Sequence, residues 1–213
     1  MLIVHHLGVS QSERIVWLCE ELGIDYELVR HDRDPVTRLA PAAYKALHPA
    51  GTAPVIQDGD VVLSESGAIV EYIVAKYGDG RLTVSPDSPE FANYLFWLHF
   101  SNASMGSTEM IRMVTSVMGV EADHPMMGFV NDRSDRGYSQ VEARLGSAPF
   151  FAGAELTAAD IMMVFTLTTL RMFSPRDISG YPNIVAYLAR IGSRPAYQRA
   201  MAKGDPGMPL LLS

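Results

Sequence analysis

The chain has 213 residues, of which 48% are apolar and 19% charged, enough to bury a core in one large domain or two smaller ones. Its 24 acidic residues outnumber its 17 basic residues, and the formal net charge of −7 argues against a nucleic-acid-binding surface. No apolar run is long enough to cross a membrane, and Cys19, the single cysteine, excludes an internal disulfide. We therefore expect a cytoplasmic protein without secretory signal, membrane or nucleic-acid partner.

Residues 1–78 alternate between strand and helix patterns. In chain order we predict a strand at 2–4, a helix at 15–22, a strand at 26–29, a hairpin turning at 58–60 and a helix at 66–77. The first helix is indicated by Ile15, Leu18, Cys19 and Leu22, which share one face, and by Gly23 as its C-terminal cap. This order of elements predicts a small mixed sheet covered by helices.

A stretch rich in Gly, Pro, Asp and Ser, "GDGRLTVSPDSPE", precedes a second half in which strand patterns fade. Helical patterns follow at 91–118, 134–145, 158–173, 183–191 and 196–202, and 119–133 is predicted to be irregular. We therefore predict an α/β domain at 1–78, a linker at 79–88 and an all-helical domain at 89–213. Within the last, "LTAADI" predicts a capping box between Thr157 and Asp160 at the start of a buried central helix.

The stretch "GVSQSER" places serines between the first strand and the first helix. Ser10 and Glu13 form an S-x-x-E pattern, which is typical of a capping box at a helix start. A capping oxygen accepts a backbone hydrogen bond, so its own proton stays available to a ligand, and a helix N-terminus also stabilises an anion. From the residues alone, Ser10 is a cap, a polarising group, or both.

Further candidate residues lie in "HPAGTAPVI" and "LSESGAI". The Ala53–Pro54 bond is a candidate for the cis form, because cis bonds in folded proteins are almost confined to proline. Glu65 and Ser66 begin a helix, where they either cap it or bind a ligand's ammonium and carboxylate groups. His5 and His6 lack partners at metal-ligand spacing, so we expect no metal site, and Cys19 is interpreted as a core thiol.

The order and spacing of "SQSER", "HPAGTAPVI", "LSESGAI" and "PFFAGAELTAADI" resemble the cytosolic glutathione transferases, especially the serine-type classes and their bacterial and fungal relatives. The resemblance covers nearly the whole chain. It implies a thioredoxin-like N-terminal domain, a helical-bundle C-terminal domain, a homodimer, and glutathione as co-substrate. No cysteine lies in residues 8–14, which argues against the thiol-transferring classes.

The resemblance also implies roles for individual residues. Ser10, or alternatively Ser12, would donate its hydroxyl to the glutathione sulfur and so favour the thiolate over the thiol, whose ordinary pKa is about 8.5. The residues expected to bind glutathione are Thr52, Ala53, Pro54, Glu65, Ser66 and His48. Many members carry Lys where this chain has Thr52, so the charge near the glycyl carboxylate would come from Lys45, Arg38 or His48.

Three functions stay open. The first is conjugation of glutathione to hydrophobic electrophiles, as in detoxification. The second is a glutathione-dependent lyase or etherase acting on one metabolite, and the third is a non-catalytic protein that binds glutathione or other ligands. For the enzymatic functions we expect a substrate pocket between the domains, lined by Tyr94, Leu98, Asn102 and Met105.

Overall fold

The β-strands of the protein lie in its first 64 residues, in a computed structural model that describes residues 1–121 and 123–213. They are β1 (Leu2–Leu7), β2 (Tyr26–His31), β3 (Val55–Asp58) and β4 (Val61–Ser64), in the sheet order β2-β1-β3-β4. Strand β1 is parallel to β2 and antiparallel to β3, and β3 and β4 form the predicted hairpin. The mixed sheet expected from the sequence is confirmed.

Helices occupy most of the rest of the described chain. They are α1 (Glu13–Leu22), α2 (Ala42–Lys45), α3 (Ser66–Tyr77), α4 (Phe91–Phe100), α5 (Ser107–Val117), α6 (Pro125–Ser147), α7 (Ala158–Leu167), α8 (Pro182–Gly192) and α9 (Pro195–Gly204). A π-helical segment, Ser101–Gly106, joins α4 to α5, and a 3-10 turn, Thr169–Met172, follows α7. The apolar face predicted for α1 is buried, and the helix packs against α9, α3 and β1.

The described residues form two units, and the first combines both ends of the chain. It consists of Met1–Thr83 with Gly192–Pro209, whereas the second consists of Val84–Ile191 with Leu210–Ser213. From the sequence we predicted that all of 89–213 belongs to the helical domain. In the structure, α9 packs against α1, and Arg199 and Lys203 of α9 donate to the Glu20 carboxylate of α1. Amphipathic periodicity predicts a helix and not the element that covers it, so this difference could not be predicted.

The helix predicted at 91–118 is continuous except for its π-helical segment. A Cβ on Gly106 would lie 2.6 Å from the carbonyl oxygen of Ser101, so the widened turn requires a glycine there. The prediction that 119–133 is irregular is wrong from Pro125 onward, because Pro125 starts α6. The Nδ1 atom of His124 caps this helix by accepting from the Met126 N–H. Ala122 lies outside the described residues.

Helix α7 is buried along its whole length, as its apolar sequence predicted. Thr157 and Asp160 form the predicted capping box, in which the Thr157 N–H donates to Asp160 Oδ2 at 2.9 Å. The Asp160 carboxylate also accepts from the Phe151 N–H at 3.1 Å and from the Tyr187 hydroxyl at 3.0 Å. One carboxylate therefore joins the start of α7 to the segment before it and to α8.

A prediction on acid stability concerns Asp58, at the end of β3. Its carboxylate accepts from Lys76 and Tyr77, each at 2.6 Å, and from Tyr72 at 2.9 Å, and these donors lower its pKa to about 2. Since the folded pKa is below the ordinary 3.8, Asp58 adds stability above about pH 4 that is lost as the pH falls towards 2. We expect Asp58→Asn to flatten the fall of Tm over this range; parallel curves for variant and wild type would contradict the assignment.

Candidate functional site

The segment between β1 and α1 is clamped by side chains from elsewhere in the first unit. Arg33 donates to the carbonyls of Gly8 and Val9 at 2.8 and 3.0 Å, and Asp205 Oδ1 accepts from the Val9 N–H at 2.9 Å. Val9 has φ +52, in the left-handed region that β-branched residues avoid. Such a backbone persists only where its surroundings hold it, and Arg33 and Asp205 supply those restraints.

The two candidate serines are buried beside this segment, and neither forms the capping box that the sequence suggested. Helix α1 begins at Glu13, and Ser12 at its N-cap turns its hydroxyl back towards β1, where it accepts from the Leu7 N–H at 3.0 Å. Ser10 Oγ accepts from the Ser12 N–H at 3.2 Å and donates to the Leu7 carbonyl at 2.7 Å. The predicted box between Ser10 and Glu13 is therefore wrong, because the Ser10 oxygen is bonded before the helix begins.

A chain of hydrogen bonds leads from Ser10 into the interior of the first unit. Ser10 Oγ lies 2.8 Å from Ser12 Oγ, and Ser12 Oγ lies 2.9 Å from Nδ1 of His6. The other ring nitrogen of His6, Nε2, lies 3.1 Å from Asp205 Oδ2. The side chain of His6 is completely buried, whereas Ser10 is 6% exposed and Ser12 is not exposed at all. Of the two serines, Ser10 is thus the one with exposed surface.

The start of α3 lies against the start of α1. Ser66 Oγ accepts from Arg14 Nη1 at 3.1 Å and donates to Gln11 Oε1 at 3.3 Å, and the same Gln11 oxygen accepts from Arg14 at 2.7 Å. Burial lowers the pKa of Arg14 to about 9, against the opposing effect of Glu13, so the guanidinium stays mostly protonated at neutral pH. Glu65 precedes Ser66 at φ +74 and is exposed. The helix starts and the cation together favour an anion at this place.

Sequence reasoning missed Gln11, Arg14, His6 and Asp205. Arg14 had a usable signal, since a cation inside the otherwise apolar face of α1 is buried only where it has partners. His6 and Asp205 had no such signal, because they lie 199 positions apart along the chain.

The segment before β3 carries the remaining glutathione-binding candidates. The Ala53–Pro54 bond is cis, which confirms that prediction, and the Pro54 carbonyl accepts from Ser64 Oγ at 3.1 Å. Thr52 is exposed, and His48 Nδ1 is bonded to the Ala50 N–H at 3.1 Å. The segment therefore leaves the side chain of Thr52 accessible but turns that of His48 onto its own backbone.

Two of the basic candidates, Lys45 and Arg38, have different surroundings. A Cβ built on Gly51, next to Thr52, would lie 3.9 Å from Cβ of Lys45, so Lys45 packs directly beside the segment. Arg38 lies on an exposed turn before α2, where its carbonyl accepts from Arg33. The Lys45 side chain therefore starts beside Gly51, the residue before Thr52.

The predicted pocket residues all belong to the second unit. Tyr94 and Leu98 lie on α4, and Asn102 and Met105 lie in the π-helical segment. Tyr94, Leu98 and Met105 are buried, while Asn102 is partly exposed. Their contact with a substrate stays a prediction.

The described residues contain neither a cluster suited to a metal ion nor a helix able to cross a membrane. Across 1–121 and 123–213, His, Cys, Asp and Glu side chains do not gather in a group of three or more suited to a metal ion. In the same part of the chain, every helix is too short or too polar to cross a membrane.

Comparisons with known proteins match almost the whole chain. Models of the glutathione S-transferase N-terminal and C-terminal domains match residues 10–76 and 103–195. Glutathione S-transferase 3 of Schizosaccharomyces pombe is 32% identical over 100% of this chain and 92% of its own length. A glutathione S-transferase structure from Actinobacillus pleuropneumoniae has 37% identity and a TM-score of 0.88, covering 96% of this chain and 93% of that one. A theta-class structure from Xanthomonas axonopodis pv. citri, with glutathione bound, has 26% identity and a TM-score of 0.71, covering 93% and 96%.

The strand order and the helical second half define a protein with a thioredoxin-like domain followed by a helical domain. With both family models matched and a relative above 30% identity, the chain belongs to the cytosolic glutathione transferase family.

Proposed function

We propose that this protein is a glutathione transferase that holds glutathione as its thiolate and directs it at an apolar electrophile. The observation that supports this most strongly is that the buried Arg14 and Ser66, at the start of α3, meet at Gln11, the residue next to Ser10. With an aryl halide, the thiolate sulfur bonds to the ring carbon, the carbon–halogen bond breaks, and halide leaves with the electron pair. The thiol proton has already passed to solvent.

Glutathione binding is assigned to backbone and side-chain groups of the first unit. The γ-glutamyl carboxylate would lie on the N–H groups at the start of α3 and on Ser66, and its ammonium on the exposed Glu65. The backbone of Ala53, between Thr52 and Pro54, would pair with the cysteinyl part as an added strand does. Such pairing fixes the register of the tripeptide without requiring particular side chains.

We assign the glycyl carboxylate to Lys45, because Lys45 packs beside the Thr52 segment whereas His48 is bonded to its own backbone. Lys45→Gln is expected to raise KM for glutathione about fivefold, equivalent to roughly 1 kcal/mol for an exposed ion pair, with kcat little changed. The matched control is Arg38→Gln, which removes the same charge from the turn before α2. Steady-state kinetics with varied glutathione test the assignment; an equal or larger effect of Arg38→Gln would contradict it.

The function is tested by turnover of glutathione with a panel of aryl halides and other electrophiles, together with calorimetry of glutathione binding. Binding with turnover supports the transferase. Binding without turnover of any electrophile would favour the non-catalytic alternative, and turnover of an ether or a β-substituted metabolite alone would favour the lyase or etherase. The electrophile contacts at Tyr94, Leu98, Asn102 and Met105, the homodimer and the cytoplasmic location are part of the same proposal.

A further inference from the structure

We propose that His6 and Asp205 are positioning residues for the transferase reaction. Held together as an imidazolium–carboxylate pair, they orient the hydroxyls of Ser12 and Ser10 so that the last proton of the chain points at the glutathione sulfur. The inference rests on the proposed role of Ser10 as thiolate donor, and it adds residues that act through Ser10 without touching the substrate.

The argument begins with the proton of Ser10. A serine hydroxyl donates one hydrogen bond and accepts up to two. Ser10 donates to the Leu7 carbonyl, which can only accept, at 2.7 Å. Ser12 Oγ lies 2.8 Å from Ser10 Oγ and 3.2 Å from the same Leu7 carbonyl, and we assign its single proton to the shorter contact, the bond to Ser10.

Counting donors and acceptors in the same way assigns the protons of the His6 imidazole. Because the proton of Ser12 is used towards Ser10, the 2.9 Å bond between Ser12 Oγ and His6 Nδ1 requires a proton on Nδ1. An ionised Asp205 can only accept, so the 3.1 Å bond from His6 Nε2 requires a second ring proton. With both nitrogens protonated, every bond in the chain has one donor and one acceptor.

The surroundings of Asp205 support its ionised form. Burial opposes ionisation, but the hydrogen bond and charge of His6 and the N–H of Val9 hold the pKa of Asp205 below its ordinary value. Arg30 also acts on Asp205 as a nearby positive charge. A buried carboxylate with donors on both oxygens is the partner that keeps a buried imidazolium stable.

The other groups around His6 leave it little freedom to turn. Gly204 covers the ring so closely that a Cβ there would lie 3.3 Å from Cε1 and Nε2 of His6. The other ionisable groups facing the pair are cationic or neutral: His31 on β2, whose pKa is lowered by burial and by the charge of His6, and Arg33, which lies near Asp205. His6 is therefore fixed in the orientation in which Nδ1 faces Ser12.

Bound glutathione would complete the chain. The proton of Ser10 turns from the Leu7 carbonyl to the thiolate, while Ser12 continues to donate to Ser10 and His6 to Ser12. Each hydroxyl that accepts a hydrogen bond becomes a better donor, so the buried positive charge acts on the sulfur through the two serines. Asp205 holds that charge and, through its second oxygen, the backbone of Val9 next to Ser10.

The first test is independent of any electrophile. In the glutathione-free protein near neutral pH, the ¹⁵N spectrum of His6, assigned by its loss in His6→Gln, is expected to show both ring nitrogens protonated. A spectrum of neutral imidazole with one protonated nitrogen would overturn the inference.

The second test follows the thiol of bound glutathione by the ultraviolet absorbance of its thiolate during a pH titration. Asp205→Asn keeps groups able to hydrogen-bond to Val9 and His6 but removes the charge, so we expect the thiol pKa and the acid limb of kcat/KM to rise by about one pH unit. His6→Phe, which breaks the chain, is expected also to lower kcat about tenfold. The control is His5→Asn on the other face of β1, which is expected to leave both the thiol pKa and kcat unchanged.

The outcomes separate this inference from the function on which it rests. If the wild-type protein binds glutathione with a thiol of ordinary pKa, the proposed function fails and this inference with it. If the thiol pKa is lowered in wild type and equally lowered in folded Asp205→Asn and His6→Phe, the function stands and only this inference is overturned.

Discussion

Replacement of Asp160 with Ala is expected to lower the free energy of unfolding of the second unit by about 3–5 kcal/mol. The carboxylate is completely buried, and removing it leaves the N–H groups of Phe151 and Thr157 and the hydroxyl of Tyr187 without their acceptor. Each buried donor that loses its partner costs about 1–3 kcal/mol. The effect is large because the same side chain caps α7 and connects it to α8.

Urea unfolding measures this effect, with the fluorescence of Trp97 as the signal of the second unit, since its ring lies 4.9 Å from that of Phe151. Burial raises the pKa of Asp160 to about 6, although its hydrogen-bond donors act in the opposite direction. Variant and wild type are therefore compared well above pH 6, where the Asp160 carboxyl group is ionised. Asp177→Ala is the matched control, an exposed carboxylate that accepts from the N–H and hydroxyl of the nearby Ser179, with an expected change within about 0.5 kcal/mol. Equal losses in both variants would contradict the role given to Asp160.

Ser10→Ala is expected to lower kcat/KM for glutathione conjugation about 100-fold or more. Removal of one donor aimed at a developing or resident anion typically has an effect of this size. Of the two serines, Ser10 has exposed surface, whereas Ser12 and the His6 behind it have none. We therefore expect Ser10 to be the donor that reaches the sulfur, with Ser12 acting behind it.

The matched comparison is Ser12→Ala, for which we expect a loss of about tenfold, because Ser10 keeps its own proton but loses the donor that orients it. Calorimetry should show that both variants bind glutathione within about threefold of wild type. A greater loss in Ser12→Ala than in Ser10→Ala would assign the donor to Ser12 instead.

The features that sequence predicted correctly are those fixed by near neighbours in the chain. The buried face of α1, the β3–β4 hairpin and the box at Thr157 and Asp160 each depend on residues fewer than ten positions apart. Periodicity and capping chemistry operate at that range, so the pattern and the structure agree. The cis bond before Pro54 was predicted as a candidate for the same local reason.

The role of Ser10 shows where a local pattern misleads. The S-x-x-E spacing fits a capping box. In the structure, however, the Ser10 hydroxyl donates to the Leu7 carbonyl and accepts from the Ser12 N–H, and the helix begins at Glu13. Competition from the end of β1 is a tertiary effect that the four-residue pattern does not contain. The early start of α6 at Pro125 was missed for the opposite reason, since "HPMMG" carries a helix-start proline but no apolar periodicity.

The most informative part of the site depends on contacts that no sequence window contains. Asp205 reaches His6 and Val9 only because α9 returns to pack on α1, and Arg14 meets Ser66 only because α3 begins beside α1. The sequence could name Ser10, Ser12 and Ser66 as candidates, but it could not show which side chains they are hydrogen-bonded to.

The central claim is that Ser10 stabilises glutathione as its thiolate, and the most direct measurement is the ultraviolet titration of glutathione bound to wild type and to Ser10→Ala. We predict a thiol pKa at least one unit below the ordinary value of about 8.5 in wild type, and a return towards that value in Ser10→Ala. An ordinary thiol pKa in wild type, or an equally lowered one in Ser10→Ala, would contradict the claim.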